Sequence, residues 1–267
     1  MDKFDIIIQG GQSNSEGTGI GPVTTEYIPD ERIMYLAAHK TCVWTAPAVA
    51  AGEGKLVITY LDKPFELNIA EERGEQKVGD FALTFAKEYI KSGMLEEGRK
   101  LLIVRGAVGG TGFVQTQEWG VGNILHEKMV ELSLHALFLN PENRVIAFLW
   151  HQGEHEAVRG NTPKAYKTQL IQTVSDVRGR LNLPALPFIA GDFVPEWRDK
   201  NAEKTAPIIG SIREAVRELG NAEFVESDNL KSNNQEIGNN DDIHFSKESL
   251  HKLGVRYFNA YKKLKKE

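Results

Sequence analysis

Asp5-Ile6-Ile7-Ile8-Gln9-Gly10-Gly11-Gln12-Ser13-Asn14 is the stretch on which the fold turns: a β-branched apolar run, two glycines, then a serine. Ile6 to Ile8 have the composition of a strand buried on both faces of a parallel sheet. Gly10 and Gly11 let the backbone turn sharply where that strand ends. Ser13 is therefore expected at the carboxyl end of a strand, outside which open α/β sheets bind their ligands. Ser and Asn are also strong helix N-caps, so the motif alone fits a capping serine as well as a nucleophile.

Working outward, short apolar runs alternate with longer amphipathic segments, the pattern of a parallel sheet with crossover helices. After Asp5 to Gln9, strands are expected at Ile33 to Leu36, Leu101 to Arg105, Val145 to Trp150 and Phe188 to Ala190, giving a mainly parallel five-stranded sheet. Helical spacing relates Phe81, Phe85 and Tyr89; Ile124, Met129, Leu132 and Leu137; Tyr166, Leu170, Val174 and Val177; Ile208, Ile212, Val216 and Leu219; and Leu250, Leu253, Tyr257, Tyr261 and Leu264. Residues 55–68 alternate around Leu61-Asp62-Lys63-Pro64 and read as a small β-hairpin insertion. Residues 229–242 read as a polar loop.

With 267 residues, 41% hydrophobic and 26% charged, the chain suits one α/β domain over 1–267. A formal net charge of -5 argues against a general nucleic-acid partner. The one dense basic run, Lys262-Lys263-Leu264-Lys265-Lys266, closes the last helix, where it complements the helix dipole. No apolar run reaches membrane-spanning length, and Phe4 already enters a strand, so neither a membrane partner nor a secretory signal is expected and the location is read as cytoplasmic. The single cysteine, Cys42, agrees with a reducing compartment and reads as a small apolar filler.

Three further segments gather polar residues at strand ends. Gly106-Ala107-Val108-Gly109-Gly110-Thr111-Gly112 can offer main-chain N–H groups to a developing negative charge. Trp150-His151-Gln152-Gly153-Glu154-His155-Glu156 carries more titratable groups than packing needs. Asp241-Asp242-Ile243-His244 places a carboxylate three residues before an imidazole, on one side of a helical turn. A serine hydroxyl is a weak nucleophile and needs a base, while a carboxylate on the other imidazole nitrogen fixes the tautomer. Ser13, His244 and Asp241 supply these roles, and the Ser13 N–H, the Gly109 or Gly110 N–H and the Gln152 side chain are candidate oxyanion donors.

Gly11-Gln12-Ser13-Asn14, Gly109-Gly110-Thr111, Trp150-His151-Gln152-Gly153-Glu154 and Asp241-Asp242-Ile243-His244-Phe245, in that order, resemble the blocks of the SGNH hydrolase superfamily. Within it the chain is most similar to the sialate O-acetylesterase-like and acetylxylan esterase group, carbohydrate esterase family 6. Val78-Gly79 and Leu253-Gly254 with Arg256-Tyr257 also match, so the resemblance spans nearly the whole chain. It implies a three-layer α/β/α sandwich of flavodoxin-like SGNH type, a Ser-His-Asp triad, and removal of acetyl groups from sugars with no metal or other cofactor. The implied partner is a small-molecule or oligosaccharide substrate carrying acetyl esters. Carried over by position, Ser13 is nucleophile, His244 base, Asp241 its partner, and Gly110 and Gln152 oxyanion donors; Gln12, Asn14, His151 and Glu154 support the site.

Ser15, where the family often has methionine, and His155-Glu156 depart from the pattern and leave the choice among xylo-oligosaccharides, sialic acids and related sugars open. Glu154 or Asp242 could share the role given to Asp241. A rival reading takes His151, Glu154 and His155 as the H-x-x-E-H pattern of a zinc hydrolase, which requires both imidazoles on one helical face. A third reading is a sugar-binding module without catalysis. Trp44, Trp119 and Trp197 could give such a sugar a stacking face.

Overall fold

The computed structural model describes residues 2–24, 26–44, 56–61, 65–114 and 118–266. Along the chain run β1 (Lys3–Gly11), α1 (Ser13–Glu16), β2 (Ile33–Ala37), β3 (Lys40–Trp44), β4 (Leu56–Tyr60), β5 (Glu66–Ile69), α2 (Phe81–Lys91), β6 (Arg99–Arg105) and α3 (Ile124–Phe138). Then follow β7 (Arg144–His151), α4 (Glu154–Arg159), α5 (Pro163–Arg180), β8 (Phe188–Gly191), α6 (Pro195–Lys200), α7 (Ala202–Leu219), β9 (Ala222–Val225), α8 (Asn233–Ile237) and α9 (Lys247–Leu264). The main sheet has the order β5-β2-β6-β1-β7-β8-β9, parallel throughout except for β5.

β1 lies at the centre, paired on both sides, with Ile6, Ile7 and Ile8 wholly buried. Side chains alternate across a strand. Ile6, Leu36, Leu102 and Val104 accordingly pack with Leu132 and Ala136 of α3. Ile7, Ile33 and Ile103 belong to a larger cluster with Phe81 and Phe85 of α2 and Tyr257, Phe258 and Tyr261 of α9. Helices α2 and α9 pack along each other, as do α5 and α7, which gives the α/β/α layering. Where α9 meets α2, Gly254 is required because a Cβ there would collide with the Phe81 carbonyl. At the amino-terminal edge of the sheet, buried Asp5 accepts from Arg99 Nε (2.7 Å), Arg144 Nε (2.7 Å) and Tyr89 Oη (3.0 Å). That network ties β1, β6 and β7 together opposite the edge that carries Ser13.

All five expected strands form, but among the described residues the sheet has seven. The two additional strands lack an apolar run: β5 is exposed along its length at the sheet edge, and in β9 only Val225 is buried. The expected hairpin over residues 55–68 does not form. β4 pairs antiparallel with β3 in a separate ribbon, while β5 pairs antiparallel with β2, and the turn residues 62–64 lie outside the described residues. The loop expected at 229–242 contains α8, begun by a capping box in which Ser232 and Gln235 satisfy each other's main-chain N–H. Cys42 is exposed on the ribbon and does not fill a core. Among the described residues no helix is long and apolar enough to cross a membrane.

Candidate active site

Ser13 stands where β1 gives way to α1. Gly11, at φ +121°, passes so close to β7 that a Cβ would strike the His151 carbonyl, and only glycine adopts that backbone readily. The next N–H, that of Gln12, donates to the His151 carbonyl at 3.0 Å. Ser15 Oγ donates back to the Gly10 carbonyl (2.8 Å) and Gln9 Nε2 to the Ser15 carbonyl (2.6 Å), so the turn is held from inside. The N-cap of α1 is Gln12, and Ser13 is its first residue. The serine hydroxyl is thus not engaged in capping.

It meets His244 instead, with Nε2 2.9 Å from Ser13 Oγ. His244 Nδ1 lies 2.8 and 3.0 Å from the two oxygens of Asp241. Because an ionised carboxylate only accepts, Nδ1 carries the proton and Nε2 is left as the acceptor facing the serine. Burial pushes the Asp241 carboxyl up, but hydrogen bonds from His244 and from Asn233 Nδ2 (2.9 Å) outweigh it and hold the group below the ordinary aspartate range. The other two acids considered for this place do not touch His244 in the hydrogen-bond network. Glu154 accepts from Asn14 Nδ2 at 2.8 Å, and Asp242 pairs with Lys200 at 2.9 Å.

Asn14 joins the two ends of the chain. Its Nδ2 donates to Glu154 and to the Ile243 carbonyl (3.0 Å), and its Oδ1 accepts from the Phe245 N–H (3.0 Å), bracketing His244. Asn14→Ala should cost about 3 kcal/mol of stability through the buried polar groups it strands. It should also lower the turnover number roughly 100-fold, because the imidazole is no longer held against the serine. Thermal unfolding and steady-state kinetics on an aryl acetate check the two effects separately.

Two of the expected oxyanion donors have other hydrogen-bond partners. The Gly109 N–H is taken by Glu16 Oε2 at 2.8 Å. Gln152 is fully buried, and its Nε2 donates to Glu156 Oε1 (3.1 Å) and to the Thr111 carbonyl (3.4 Å). Glu156 also accepts from the Phe113 N–H (2.7 Å) and Asn161 Nδ2 (2.8 Å), so Gln152 and Glu156 shape the glycine loop from behind. The cleft, about 460 Å³, is lined by Gln12, Ser13, Gly110, His155, Val158 and His244 among others. The Ser13 N–H, in the first turn of α1, has no intrahelical acceptor. Gly110, at φ +73°, and Gln12, whose side-chain oxygen accepts from the His155 N–H (3.2 Å), line the same cleft. Neither Glu16 nor the cleft-lining place of Gln12 is marked by any sequence spacing other than closeness to Ser13.

The zinc pattern comes apart in three dimensions. His151 ends β7 while Glu154 and His155 begin α4, so the two imidazoles do not share a helical face. His151 is wholly buried. Its Nδ1 lies 3.1 Å from Tyr257 Oη, which itself donates to the Trp150 carbonyl (2.8 Å), so Nδ1 is the protonated nitrogen. Burial drives His151 down to about 3, which keeps it neutral. His155 Nε2 instead meets the Val114 carbonyl at 3.3 Å. Trp119 and Trp197 are buried and offer no stacking face, and the side chain of Trp44 lies outside the described residues.

Glu154 is buried, with Oε1 on Asn14 and 3.7 Å from His151 Nε2; burial raises its carboxyl above the ordinary glutamate value of 4.5. A carboxyl raised in the fold gives its full stabilisation below its unfolded value, and that is lost as pH climbs toward the folded one. Glu154→Gln keeps an acceptor for Asn14 and removes the ionisation. It should unfold at a higher temperature than the wild type at pH 7, on the order of a few degrees. The gap should close below the unfolded glutamate value; equal melting curves at both pH values would contradict an ionisable, buried Glu154.

The sequence matches the family model described as carbohydrate esterase, sialic acid-specific acetylesterase, over residues 3–263. A probable carbohydrate esterase of Arabidopsis thaliana is 25% identical over 174 residues, or 64% of this chain, and the match spans 59% of that curated relative. Among solved structures, NanS superposes with a TM-score of 0.75 at 18% identity, covering 99% of this chain and 98% of that one. An Arabidopsis thaliana protein gives 0.65 at 22% identity, covering 98% of each chain. A carbohydrate acetylesterase from Xanthomonas citri gives 0.62 at 19%, covering 97% of this chain and 56% of that one. At these identities the structural likeness is one of fold.

Proposed function

Because the chain belongs to the carbohydrate esterase family described as sialic acid-specific acetylesterases, we propose that it removes O-acetyl groups from a sialic acid, a xylo-oligosaccharide or a related sugar through an acetyl-Ser13 intermediate. The observation that carries this reading is the hydrogen-bond chain Ser13 Oγ, His244 Nε2, His244 Nδ1, Asp241, with links of 2.9 and 2.8 Å. His244 takes the hydroxyl proton as Ser13 Oγ attacks the acetyl carbonyl, and Asp241 stabilises the imidazolium that forms. The oxyanion is received by the N–H groups of Ser13 and Gly110 and by the side-chain amide of Gln12, each such donor contributing roughly 3 kcal/mol. His244 then protonates the departing sugar oxygen, and the C–O bond to the sugar breaks. Water, deprotonated by His244, attacks the acetyl-serine, and acetate leaves as Ser13 regains its proton.

Brief mixing with an aryl acetate followed by intact-mass and peptide analysis tests this directly. One acetyl group on Ser13 is expected, together with acetate release across a panel of acetylated mono- and oligosaccharides. Turnover with no acetylated serine would remove the covalent route.

A further inference from the structure

The glycine loop that closes one side of the cleft is pinned from behind at several residues. Glu16 Oε2 accepts from the Gly109 N–H (2.8 Å), Thr111 Oγ1 donates to the Val108 carbonyl (2.6 Å) and accepts from Trp119 Nε1 (2.9 Å), and Glu156 Oε1 accepts from the Phe113 N–H (2.7 Å). Between these anchors lies Gly110, at φ +73°, the residue whose N–H receives the oxyanion in the proposed mechanism. A glycine takes up many backbone conformations, so the direction of that N–H has to be imposed from outside. His155 reaches the loop at this place. It is the second residue of α4, is 9% exposed, and lines the cleft with Gln12, Ser13 and Gly110.

Three alternate residues of the loop meet its imidazole. Nε2 lies 3.3 Å from the Val114 carbonyl. Gly112 packs so closely on the ring that a Cβ there would overlap Cδ2 and Cγ. Gly110 bonds the ring through its main chain. A carbonyl only accepts, so Nε2 carries the proton that joins the ring to Val114. Burial lowers the ring's affinity for a second proton, Arg159 adds to that, and the bonds to Val114 and Gly110 do not offset it, so the ring is uncharged at neutral pH. The main chain of the same residue holds a second proposed donor. The His155 N–H donates to Gln12 Oε1 at 3.2 Å, and fixing the oxygen of an amide fixes the direction of its NH₂ group.

We propose that His155 is a positioning residue for the oxyanion: its imidazole holds Gly110 to Val114 in the conformation that presents the Gly110 N–H to the cleft, and its main-chain N–H orients the Gln12 amide. This rests on the esterase reading, in which those two groups receive the negative charge. Donors aimed at a charge that exists only in the transition state change kcat and leave substrate binding nearly untouched.

The test compares an aryl acetate with its thionoacetate, in which sulfur, a larger and poorer acceptor, takes the place of the carbonyl oxygen. His155→Leu should lower kcat for the acetate roughly 30-fold with KM within about twofold, and should lower the ratio of acetate to thionoacetate rates roughly tenfold. His155→Gln, whose amide nitrogen reaches the place of Nε2, should recover most of both, whereas His155→Asn, whose nitrogen stops at the place of Nδ1, should not. Amide hydrogen exchange over residues 109–114 should quicken in His155→Leu and His155→Asn and return in His155→Gln. Should the leucine variant fail to fold, the asparagine and glutamine pair decides by itself. Equal losses on both esters, glutamine and asparagine variants that behave alike, or an unchanged kcat in all three overturn the proposal and leave the esterase standing. A wild type that releases no acetate and acetylates no serine overturns the esterase, and the exchange pattern then decides the clamp: quickened exchange that glutamine restores retains it, and unchanged exchange overturns it too.

Discussion

Ser13→Ala is expected to reduce acetate release by roughly 10⁴- to 10⁶-fold while the fold and the cleft persist. The magnitude follows from what the side chain does. Its hydroxyl engages His244 Nε2 at 2.9 Å and serves no capping bond in α1, so alanine removes the proposed nucleophile and little else. The residual rate should reflect binding and the oxyanion donors alone. Measured beside it, the wild type in chelator should keep its activity, because the proposed route passes from serine to histidine with no step at His151 or His155. Full activity of the alanine variant would overturn the mechanism.

Asp241→Asn should cost about 10⁴-fold in kcat with a much smaller effect on KM. The asparagine amide can present its NH₂ group to Nδ1, which favours the imidazole tautomer protonated at Nε2. That nitrogen then points a proton at the serine and cannot take one from it. The native carboxylate avoids this because it is an acceptor only, kept ionised at neutral pH by His244 and Asn233. A loss of less than tenfold in Asp241→Asn would mean that another acid orients His244. Glu154, one shell away on Asn14, would then be the first to examine.

The parts of this molecule that were legible in the sequence are those written by burial or by local spacing. Ile6 to Ile8, Leu101 to Val104 and Phe148 to Trp150 are buried continuously, and each reads as an apolar run. Asp241 and His244 sit three residues apart, and the structure keeps that proximity as a hydrogen bond. β5 and β9 carry no such run, because an exposed edge strand is held by main-chain pairing that leaves no mark on side-chain chemistry. The partners of the expected oxyanion donors were not legible for a related reason. Whether Gly109 or Gln152 has an N–H to spare depends on Glu16 and Glu156, and such satisfaction is set by packing.

Asn14 and Ser13 reach across 231 residues to Phe245 and His244. Contacts that distant along the chain close late, because a long loop must be ordered before they repay it. Under the proposed mechanism hydrolysis is withheld during synthesis, because a chain that has not yet reached residue 244 holds Ser13 without the base His244. On that reading ester cleavage reports on completion, and a half-assembled molecule stays inert toward acetyl esters.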